Sequence, residues 1–344
     1  MSSKNIMPEP KRMQDFGEDS LLPSVKYWVP TGNLALDVVL HGGWPCGRFS
    51  MVYGAEASGK SALAAIACSQ VQKMGGPAYY SDPETTVDED FFTDLGVNLD
   101  KDFFYDSPGT LTDLFEGRDD KEGNVIVYGI DRFVEWKNNT YGKDVPAVVV
   151  WDSIAATTTQ EELDDRGTEE RQYPDFARYL SGKFRTSVRS WAESNIAVIA
   201  VNQVRTKIGI SFGDKKALYG GKAPNFYASV KLYLNDKSKI RVKKGNFKIV
   251  AGENIEALCE KHKLGVPFRF CEFPLMFNHG MDQTKSVCSM LKGFKLADIT
   301  STNIKFTCEE MKGEVIAKKD LDDWLKDEDN YWELYDILND AFVV

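Results

Sequence analysis

Eight consecutive residues, from Gly54 to Ser61, have the types and spacing that bind phosphate. They follow the pattern G-x-x-x-x-G-K-[ST], in which the glycines let backbone N–H groups turn towards an anion. The lysine of this pattern contacts the β- and γ-phosphates, and the hydroxyl can ligate Mg²⁺. The sequence therefore predicts a nucleotide site with these binding residues: Gly54, Glu56, Ala57, Ser58, Gly59, Lys60, Ser61 and Ala62.

The segments on either side of this loop agree with that prediction. Residues 49–53 are apolar and β-prone, and residues 62–67 are typical of the first turns of a helix. A strand, a glycine loop and a helix in this order place the positive end of a helix at the anion. The alternative, a glycine turn that binds nothing, does not require these flanks.

Two acidic residues follow predicted strands at positions suited to catalytic carboxylates. Glu84 comes shortly after residues 77–81, and Asp152 ends the apolar run 147–151. Ligands of a parallel sheet gather at the carboxyl ends of its strands. We therefore predict that Asp152 and Ser61 hold Mg²⁺, partly through water, and that Glu84 orients or deprotonates the attacking water. From its position alone, Glu84 is equally well explained as a solvated acid in a turn.

A third buried strand, residues 196–201, leads through Gln203 into a segment rich in glycine and lysine. In this segment, residues 204–223, Asp214 is the only acidic residue. Flexible glycines, several cations and an isolated aromatic suit a loop that wraps a phosphodiester backbone, although a plain solvated surface is the alternative. The candidate DNA-binding residues are Arg205, Lys207, Ile208, Gly209, Phe212, Gly220, Gly221 and Lys222.

The segment before that strand adds two further candidates. A helix predicted over 175–191 carries Arg178 and Arg185, which are seven residues apart and therefore lie on one face. Their spacing alone favours solvated side chains over phosphate ligands. Residues 157–174 are polar and dense in charge, and we predict a long surface loop there.

The whole chain is acidic, but its charge is unevenly distributed. Its 344 residues carry a net charge of −10, with acid near the C-terminus and base between 205 and 248, including a predicted basic hairpin over 236–248. This distribution allows one positive surface on an acidic protein. No run is long and apolar enough to span a bilayer, no apolar signal core opens the chain, and the six cysteines contain no C-x-x-C pair. We therefore expect a protein of a reducing cytoplasm, without a membrane partner, disulfides or zinc.

The order of the elements predicts an α/β fold. Strands alternate with helices through most of the chain, which is typical of a mostly parallel sheet flanked by helices. We predict an N-terminal arm over 1–28, a core over 29–285 and a small acidic α+β domain over 286–344. Within the core, residues 125–136 are amphipathic and are predicted as a helix with a loop on each side.

Several short stretches together resemble one known family. Over residues 29–274 the chain is similar to the RecA-type recombinases of bacteria and to their UvsX-type phage relatives. The resemblance implies a RecA-type P-loop NTPase core that binds ATP and Mg²⁺, with 157–174 and 204–223 as two DNA-binding loops. It is carried by residues 31–37, 54–61, 82–84, 149–153, 202–205, 207–209, 212–213, 220–221, 226–230, 261–263 and 267–268.

The same resemblance implies roles that the residue pattern leaves open. Glu84 corresponds to the family's water-activating glutamate, and Gln203 to the residue that senses the γ-phosphate and signals to the DNA loop. Lys261 and Lys263 correspond to the pair that reaches the ATP of a neighbouring subunit. Phe91 corresponds to the aromatic side chain that packs against adenine.

Other correspondences concern DNA and the contact between protomers. Arg178 and Arg185 become phosphate ligands, and Phe226 lies at the protomer interface. The sequence departs from the family pattern nearby, because Asn225 stands where a basic residue is usual and Lys222 replaces a usual asparagine. The N-terminal arm is also shorter than the family's helix-bearing segment, so the interface is the part of the resemblance most altered here.

These implications make a filament-forming, DNA-dependent ATPase the first functional hypothesis. It would assemble on single-stranded DNA, pair it with homologous duplex DNA and exchange strands in recombination and repair. A recombination mediator or single-strand-binding protein would be a further partner, in the cytoplasm of a bacterial or phage-infected cell. Two alternatives stay open: another RecA-fold motor such as a helicase, and a non-catalytic RecA-fold paralogue that assists recombination. Intact Glu84 and Asp152 argue against the second alternative.

Overall fold

A central sheet organises the chain in the computed structural model, which describes residues 25–160, 174–206, 216–277 and 279–343. Within those residues the strands are β1 (Trp28–Val29), β2 (Trp44–Pro45), β3 (Phe49–Gly54), β4 (Ala78–Ser81), β5 (Phe103–Asp106), β6 (Arg118–Asp119), β7 (Val125–Val127), β8 (Ala147–Trp151), β9 (Ile196–Thr206), β10 (Lys216–Leu218), β11 (Val230–Lys244), β12 (Phe247–His262), β13 (Phe270–Met276), β14 (Gly280–Met281), β15 (Ala297–Ile299), β16 (Asn303–Phe306) and β17 (Val315–Ala317). The α-helices are α1 (Leu34–Val39), α2 (Lys60–Lys73), α3 (Glu89–Asp94), α4 (Leu111–Glu116), α5 (Ile130–Tyr141), α6 (Pro174–Glu193), α7 (Lys222–Tyr227), α8 (Gln283–Gly293), α9 (Leu321–Trp324) and α10 (Glu328–Asp340).

The parallel part of the central sheet carries the predicted site. Across the described ranges, nine strands lie in the order β14-β13-β12-β11-β3-β9-β8-β4-β5, and β10 pairs with the far end of β9. The strands from β11 to β5 in that order run parallel, whereas β12, β13 and β14 add antiparallel pairs at one edge. The predicted α/β fold, with a mostly parallel sheet flanked by helices, is confirmed.

The central strands are apolar throughout because helices cover both faces of the sheet. Every residue of β3 and of β8 is buried, as expected for parallel strands between two helical layers. One apolar core includes residues of α1, α2, α8 and α10, and a second includes residues of α4, α5 and α6. This packing fixes the strands, so the segments that follow β3, β4, β8 and β9 leave the sheet at the same end.

The prediction of one helix over 125–136 is wrong at its start. Val125–Val127 forms β7, which pairs with β6 in a short hairpin, and α5 begins only at Ile130. Gly129 separates the two with a φ of 81°, and a Cβ there would lie 2.3 Å from the backbone N of Gly117. The run Val-Ile-Val favours a strand, and the close approach of the two glycines determines where that strand ends.

Part of the loop predicted over 204–223 is regular structure. β9 continues past Gln203 to Thr206, β10 returns antiparallel beside it with Lys216 opposite Thr206, and α7 begins at Lys222. The β-prone run of the buried strand extends into these residues, and pairing with β10 satisfies their backbone hydrogen bonds. The predicted DNA-binding residues Lys207, Ile208, Gly209 and Phe212 lie outside the described residues.

The C-terminal residues pack on the core through α1. Residues of α8 and α10 share an apolar core with α1, and Tyr331 of α10 donates a hydrogen bond of 2.7 Å to Asp37 of α1. Arg269 donates to the carbonyl of Val38 at 3.0 Å and to Oδ1 of Asn339 at 2.7 Å. A separate antiparallel sheet, β15-β16-β17, completes this α+β region. The domain boundary at 286 stays a prediction.

Most of the cysteines are core residues. All six are free thiols, and five of them are buried. Burial raises the pKa of Cys46 to about 12, which disfavours the reactive thiolate. In the part of the chain that the structure describes, no helix is both long and apolar enough to cross a membrane.

Candidate nucleotide site and nucleic-acid surface

The loop between β3 and α2 closes on itself where phosphate is predicted to bind. Gly59 has a φ of 81° and caps α2, and a Cβ added to it would lie 2.4 Å from Cδ2 of Leu275. A Cβ on Gly54 would lie 2.3 Å from the carbonyl oxygen of Leu234. Neighbouring strands therefore leave space only for glycine at both positions, which keeps the backbone N–H groups of the loop accessible to an anion.

Lys60 stands inside this loop. Its Nζ donates to the carbonyl of Ala55 at 2.5 Å and to Oγ of Ser58 at 3.4 Å, and only 7% of the residue is exposed. Burial lowers the pKa of Lys60, and the nearby carboxylates of Asp152, Glu84 and Glu56 raise it. The lysine is thus the cation of an acidic site, positioned to offset the additional negative charge of a phosphate group.

Asp152 follows β8 directly and supplies a carboxylate beside the loop. Burial raises the pKa of Asp152, and hydrogen bonds from Ser61 and Tyr80 oppose that shift; the hydroxyl of Tyr80 donates at 2.6 Å. The hydroxyl of Ser61 and the carboxylate of Asp152 are therefore neighbours, and both are oxygen ligands of the kind that Mg²⁺ prefers. Such a small donor set suits Mg²⁺ bound with phosphate oxygens and water rather than an all-protein cage, and the described residues contain no group of three or more His, Cys, Asp or Glu side chains that could hold a metal ion.

Glu84 is exposed on the turn after β4, and two residues to which the sequence analysis assigned no role position it. Ser153 Oγ donates a hydrogen bond of 2.6 Å to Oε1 of Glu84. The buried carboxylate of Asp82 accepts from the backbone N of Glu84 at 3.0 Å and of Thr85 and Thr86 at 2.9 Å. The sequence did contain a signal for this role of Asp82, which is an aspartate at the start of a polar turn. Such a side chain often accepts hydrogen bonds from the backbone N–H groups of the residues that follow it.

Gln203 links the loop to the predicted DNA-binding segment. In the β3–β9 ladder Gln203 is the direct partner of Gly54. The side chain of Asn202 next to it donates to the carbonyl of Tyr219 at 3.0 Å, which ties β9 to the residues after β10. One strand therefore contacts the first residue of the phosphate loop and continues into the segment predicted to hold DNA.

A cavity of about 580 Å³ lies beside the first turn of α2. Its lining includes Ala62 and Phe91, both predicted to contact the nucleotide, together with Asp88, Leu275 and Phe277. Leu275 belongs to β13 and Phe277 follows it, both more than 180 residues after Phe91 in sequence, and nothing local in their sequence indicated a role. The cavity is mainly apolar with acidic groups at its edge, so it fits a flat aromatic base.

Lys261 and Lys263 lie at the opposite end of the sheet from the loop. Lys261 Nζ donates to the carbonyl of Asn225 at 2.8 Å, and Lys263 Nζ donates to that of Phe226 at 3.1 Å. Burial lowers the pKa of both lysines. Between them His262 pairs with Val230, which pairs in turn with the N-terminal half of β3. The structure does not bring the two lysines to the phosphate loop of their own chain.

Phe226 is an exposed aromatic residue at that end of the sheet. It is 70% exposed, and the Lys263 ammonium lies 5.8 Å from the centre of its ring. An exposed aromatic beside two cations is typical of a surface that contacts another molecule.

The described ends of both predicted DNA-binding loops line one cleft. This cavity, of about 800 Å³, lies between the segment after β8, the start of α6 and the end of β10, and its lining includes Thr157, Phe176, Gly220 and Gly221. Lys222 is exposed where α7 begins. The structure thus brings the described ends of the two loops together, although residues 175–203 separate the loops in sequence.

Arg178 and Arg185 lie on the exposed side of α6. Leu180 and Phe184 of the same helix are fully buried, so the two arginines lie away from the core. The Nε of Arg185 donates to the carbonyl of Ser181 at 3.3 Å. Arg205 belongs to β9 and is paired there with Ala217. The DNA-binding roles of the three arginines stay predictions.

Comparison with known proteins identifies the family. The model of the RecA N-terminal domain matches residues 14–111 and 140–282. Protein RecA of Caulobacter vibrioides (strain NA1000 / CB15N) is 32% identical over 267 residues, which cover 76% of this chain and 67% of that protein. Protein RecA of Methylococcus capsulatus is 34% identical over 258 residues (74% and 67%), and that of Chlamydia felis is 31% identical over 286 residues (80% and 75%).

The break between the two matched ranges falls on the hairpin β6–β7 and most of α5, where the sequence prediction also failed. The matched ranges include the phosphate loop, Glu84, Asp152, Gln203 and the Lys261–Lys263 pair. The resemblance of the short motifs, the sheet that positions them and these matches agree: the chain belongs to the RecA family.

Proposed function

We propose that this protein is a DNA-dependent ATPase that assembles into filaments on single-stranded DNA and promotes homologous pairing and strand exchange. The observation that carries the proposal is the path of β9. This strand lies beside Gly54 of the phosphate loop at Gln203 and then continues into the hairpin with β10. A change at the γ-phosphate can therefore be transmitted to the DNA-binding segment along one rigid element.

ATP hydrolysis would depend on positioning rather than on covalent chemistry. Lys60 and the backbone N–H groups of the loop hold the phosphates, and Ser61 with Asp152 would hold Mg²⁺. The metal ion, when bound, neutralises charge on the phosphate oxygens. Glu84, held by Ser153, orients the attacking water and accepts its proton. The cavity that contains Phe91 and Phe277 binds the base.

The neighbouring protomer completes this site. Gly54 pairs with Leu234 and Ser50 with Val230, so the end of the sheet near Lys261 lies about 13 Å from the loop end along the strand. Two lysines at one end and the phosphate loop at the other suit a head-to-tail assembly, in which each junction joins unlike surfaces and the polymer stays open. Lys261 and Lys263 of one protomer would then stabilise charge on the γ-phosphate held by the next.

Single-stranded DNA is the ligand that we assign to the cleft between the two predicted loops. Its glycines allow a close approach of a phosphodiester backbone, and Lys222 at its edge, with Arg178 and Arg185 as further candidates, supplies positive charge. Such contacts are largely independent of base sequence and weaken as salt increases.

ATP hydrolysis with and without single-stranded DNA, measured over a salt series, tests the proposal. We expect strong stimulation by DNA that declines as salt rises. Hydrolysis that is indifferent to DNA would instead indicate another RecA-fold motor. Bound nucleotide without any hydrolysis would indicate an accessory paralogue.

A further inference from the structure

One short turn joins the residue that holds Glu84 to the first residue of a predicted DNA-binding loop. We call residues 153–157, which follow β8 closely, the 153–157 turn. At its start, the Oγ of Ser153 donates a hydrogen bond of 2.6 Å to Glu84. At its end, Thr157 lines the cleft that we assign to single-stranded DNA. This turn therefore connects the proposed water-activating group with the proposed DNA site.

The hydroxyl of Thr157 forms two hydrogen bonds that fix this turn. It accepts from Nε1 of Trp151 at 2.7 Å and donates to the carbonyl oxygen of Ser153 at 3.0 Å. A hydroxyl has one proton to donate, so its donor is fully used and the orientation of the group is determined. Only 4% of Thr157 is exposed. The hydroxyl therefore belongs to the internal structure, although the residue borders the cleft.

Trp151 ties this arrangement to the central sheet. It belongs to β8 and is buried, and its ring lies edge-on to that of Phe115, with the ring centres 6.1 Å apart. A buried indole N–H without a partner is unfavourable, so Trp151 and Thr157 hold each other in place. The position of the Ser153 carbonyl therefore depends on a core residue of the sheet as well as on its own backbone.

The two ends of the turn are anchored to different elements, and its middle faces the cleft. The backbone N of Ile154 donates to the carbonyl of Val201 in β9 at 2.9 Å, and the carbonyl of Thr158 accepts from the backbone N of Leu111 in α4 at 2.8 Å. Ile154 and Gly220 both line the cleft, and a Cβ on Gly220 would lie 3.1 Å from Cγ2 of Ile154. A strand that enters the cleft therefore contacts the 153–157 turn and the end of the second loop together.

We propose that Thr157 is a positioning residue through which DNA in the cleft acts on ATP hydrolysis. Its hydroxyl fixes the carbonyl of Ser153, and that carbonyl sets the direction in which the Oγ of Ser153 holds Glu84. DNA that contacts the 153–157 turn thus changes the orientation of the water-activating carboxylate. This route is separate from the path of β9 through Gln203. It rests on the proposed function, because it requires DNA in the cleft, whereas the contact of Thr157 with Ser153 does not.

The alternative explanation is that this hydroxyl only stabilises the fold. In that case Thr157→Val would lower the free energy of unfolding, and the protein that remains folded would respond to DNA as wild type does. The two explanations therefore differ in one quantity, the ratio of the hydrolysis rate with DNA to the rate without it. This ratio is measured on folded protein, so a loss of stability alone does not change it.

The test compares the full-length protein with Thr157→Val, Thr157→Ser and Thr158→Val. Valine keeps the branched shape of threonine without its hydroxyl, and serine keeps the hydroxyl. Thr158 lines the same cleft, and its hydroxyl also donates to a carbonyl, that of Gly109 at 2.9 Å, so Thr158→Val is a matched control. Single-turnover ATP hydrolysis is measured without DNA and with a saturating random-sequence single strand, at a urea-free condition in which each variant is folded.

We expect Thr157→Val to lower the ratio of the two rates about tenfold, as the loss of one positioning hydrogen bond would. Thr157→Ser should restore most of the ratio, and Thr158→Val should keep it, because its hydroxyl bonds to Gly109 instead of Ser153. In a protein that already carries Ser153→Ala, Thr157→Val should have no further effect on the ratio. This dependence on Ser153 distinguishes a positioning residue from a general loss of order in the cleft.

An unchanged ratio in Thr157→Val would overturn the proposal, as would an equal loss in Thr158→Val or a further loss in the Ser153→Ala background. A loss that appears only below saturating DNA would also overturn it, because Thr157 would then be a DNA contact. If wild-type hydrolysis is indifferent to DNA, the proposed function fails. A lower rate in Thr157→Val that depends on Ser153 would then leave the positioning role standing, and an unchanged rate would overturn that role too.

Discussion

Ser153 holds the carboxylate of Glu84 from the end of a neighbouring strand. Its Oγ donates to Glu84 at 2.6 Å, and Asp82 fixes the backbone of the same turn through several N–H groups. Without these contacts, a carboxylate side chain on an exposed turn would sample several rotamers and would not keep one orientation. These contacts favour the catalytic explanation of Glu84 over a solvated acid, which its sequence position alone left equally open.

The single substitution Glu84→Gln should slow ATP hydrolysis without changing the binding of ATP. The amide keeps the shape of the side chain and its contact with Ser153 but cannot accept a proton from water. We expect unchanged affinity for ATP and a fall in hydrolysis of about 10²–10⁴-fold, measured by nucleotide titration and single-turnover hydrolysis. Glu89→Gln, a neighbouring exposed acid in the first turn of α3, should behave as wild type. Normal turnover in the Glu84 variant would remove this residue from its proposed role.

Ser153→Ala should have a smaller effect that depends on Glu84. Removing one hydrogen bond to a positioning group costs about tenfold in rate, with little change in nucleotide affinity. Because Ser153 is proposed to act through Glu84, the substitution should have no further effect on hydrolysis when Glu84 is already glutamine. Additive losses in the double variant would mean that Ser153 acts elsewhere.

Among the elements, α1 and α10 are joined by a buried acid. Asp37 accepts hydrogen bonds from the backbone N of Thr31 and from the hydroxyl of Tyr331. Burial raises the pKa of Asp37 to about 7, although both hydrogen bonds oppose the shift. The folded protein therefore retains a proton on Asp37 at a pH where the unfolded chain has lost it.

It follows that this contact should weaken as the solution becomes less acidic. From about pH 4 to about pH 7 unfolding releases the proton, so rising pH lowers the contribution of Asp37 to the free energy of unfolding, by about 4 kcal/mol at most. Asp37→Asn does not titrate and can still bond both partners, so its stability relative to wild type should increase over that interval. Urea denaturation at each pH measures the difference. A difference that stays constant over this interval would contradict this account.

The elements also show what the sequence could and could not predict. The ends of β3, β4 and β8 were predictable because apolar runs and the residues that follow them are local signals. The hairpin β6–β7 was mispredicted because its end depends on the contact of Gly129 with Gly117, which periodicity does not register. The strand pairing beyond Gln203 was missed because the high glycine and lysine content of residues 204–223 led to the prediction of a loop, despite the short β-prone run at its start.

The residues of the candidate site also include some that the sequence could predict and some that it could not. The phosphate loop, Glu84 and Asp152 are identified by short motifs, whereas Phe277, just after β13, reaches the predicted base cavity only through the fold, because it is far from α2 in sequence. Ser153 belongs to a stretch that carries the family resemblance, but its hydrogen bond to Glu84 appears only when the segments after β4 and β8 meet. The hydrogen bonds of Asp82, in contrast, are local to its own turn. The roles of Lys261 and Lys263 came from the family resemblance, and the structure adds their place at the other end of the sheet.

For the whole molecule, that separation predicts complementation between two inactive variants. Glu84→Gln lacks the catalytic acid–base group, and Lys261→Ala/Lys263→Ala lacks the cations that a neighbour would receive. In a random equimolar mixture of a head-to-tail polymer, about a quarter of the junctions combine an intact Glu84 with intact lysines. We therefore expect DNA-stimulated hydrolysis near a quarter of the wild-type rate from the mixture and almost none from either variant alone.

A mixture as inactive as its components would show that each chain uses its own lysines or none. Mixing Glu84→Gln with Lys60→Ala provides the matched control. Both substitutions lie in the same half of the site, so no junction between these two proteins regains activity.

In the proposed head-to-tail filament, the opposite placement of the loop and the lysine pair would also let the protein sense its own assembly. Each molecule would contribute half of a site at either end, so a row of n molecules would hold n − 1 complete sites, and a solitary molecule would hold none. The rate of hydrolysis would then depend on the number of contacts between protomers, not on the number of molecules present. Activity per molecule should rise with row length towards a plateau, and nucleotide would be conserved wherever DNA is too short to seat a second protomer.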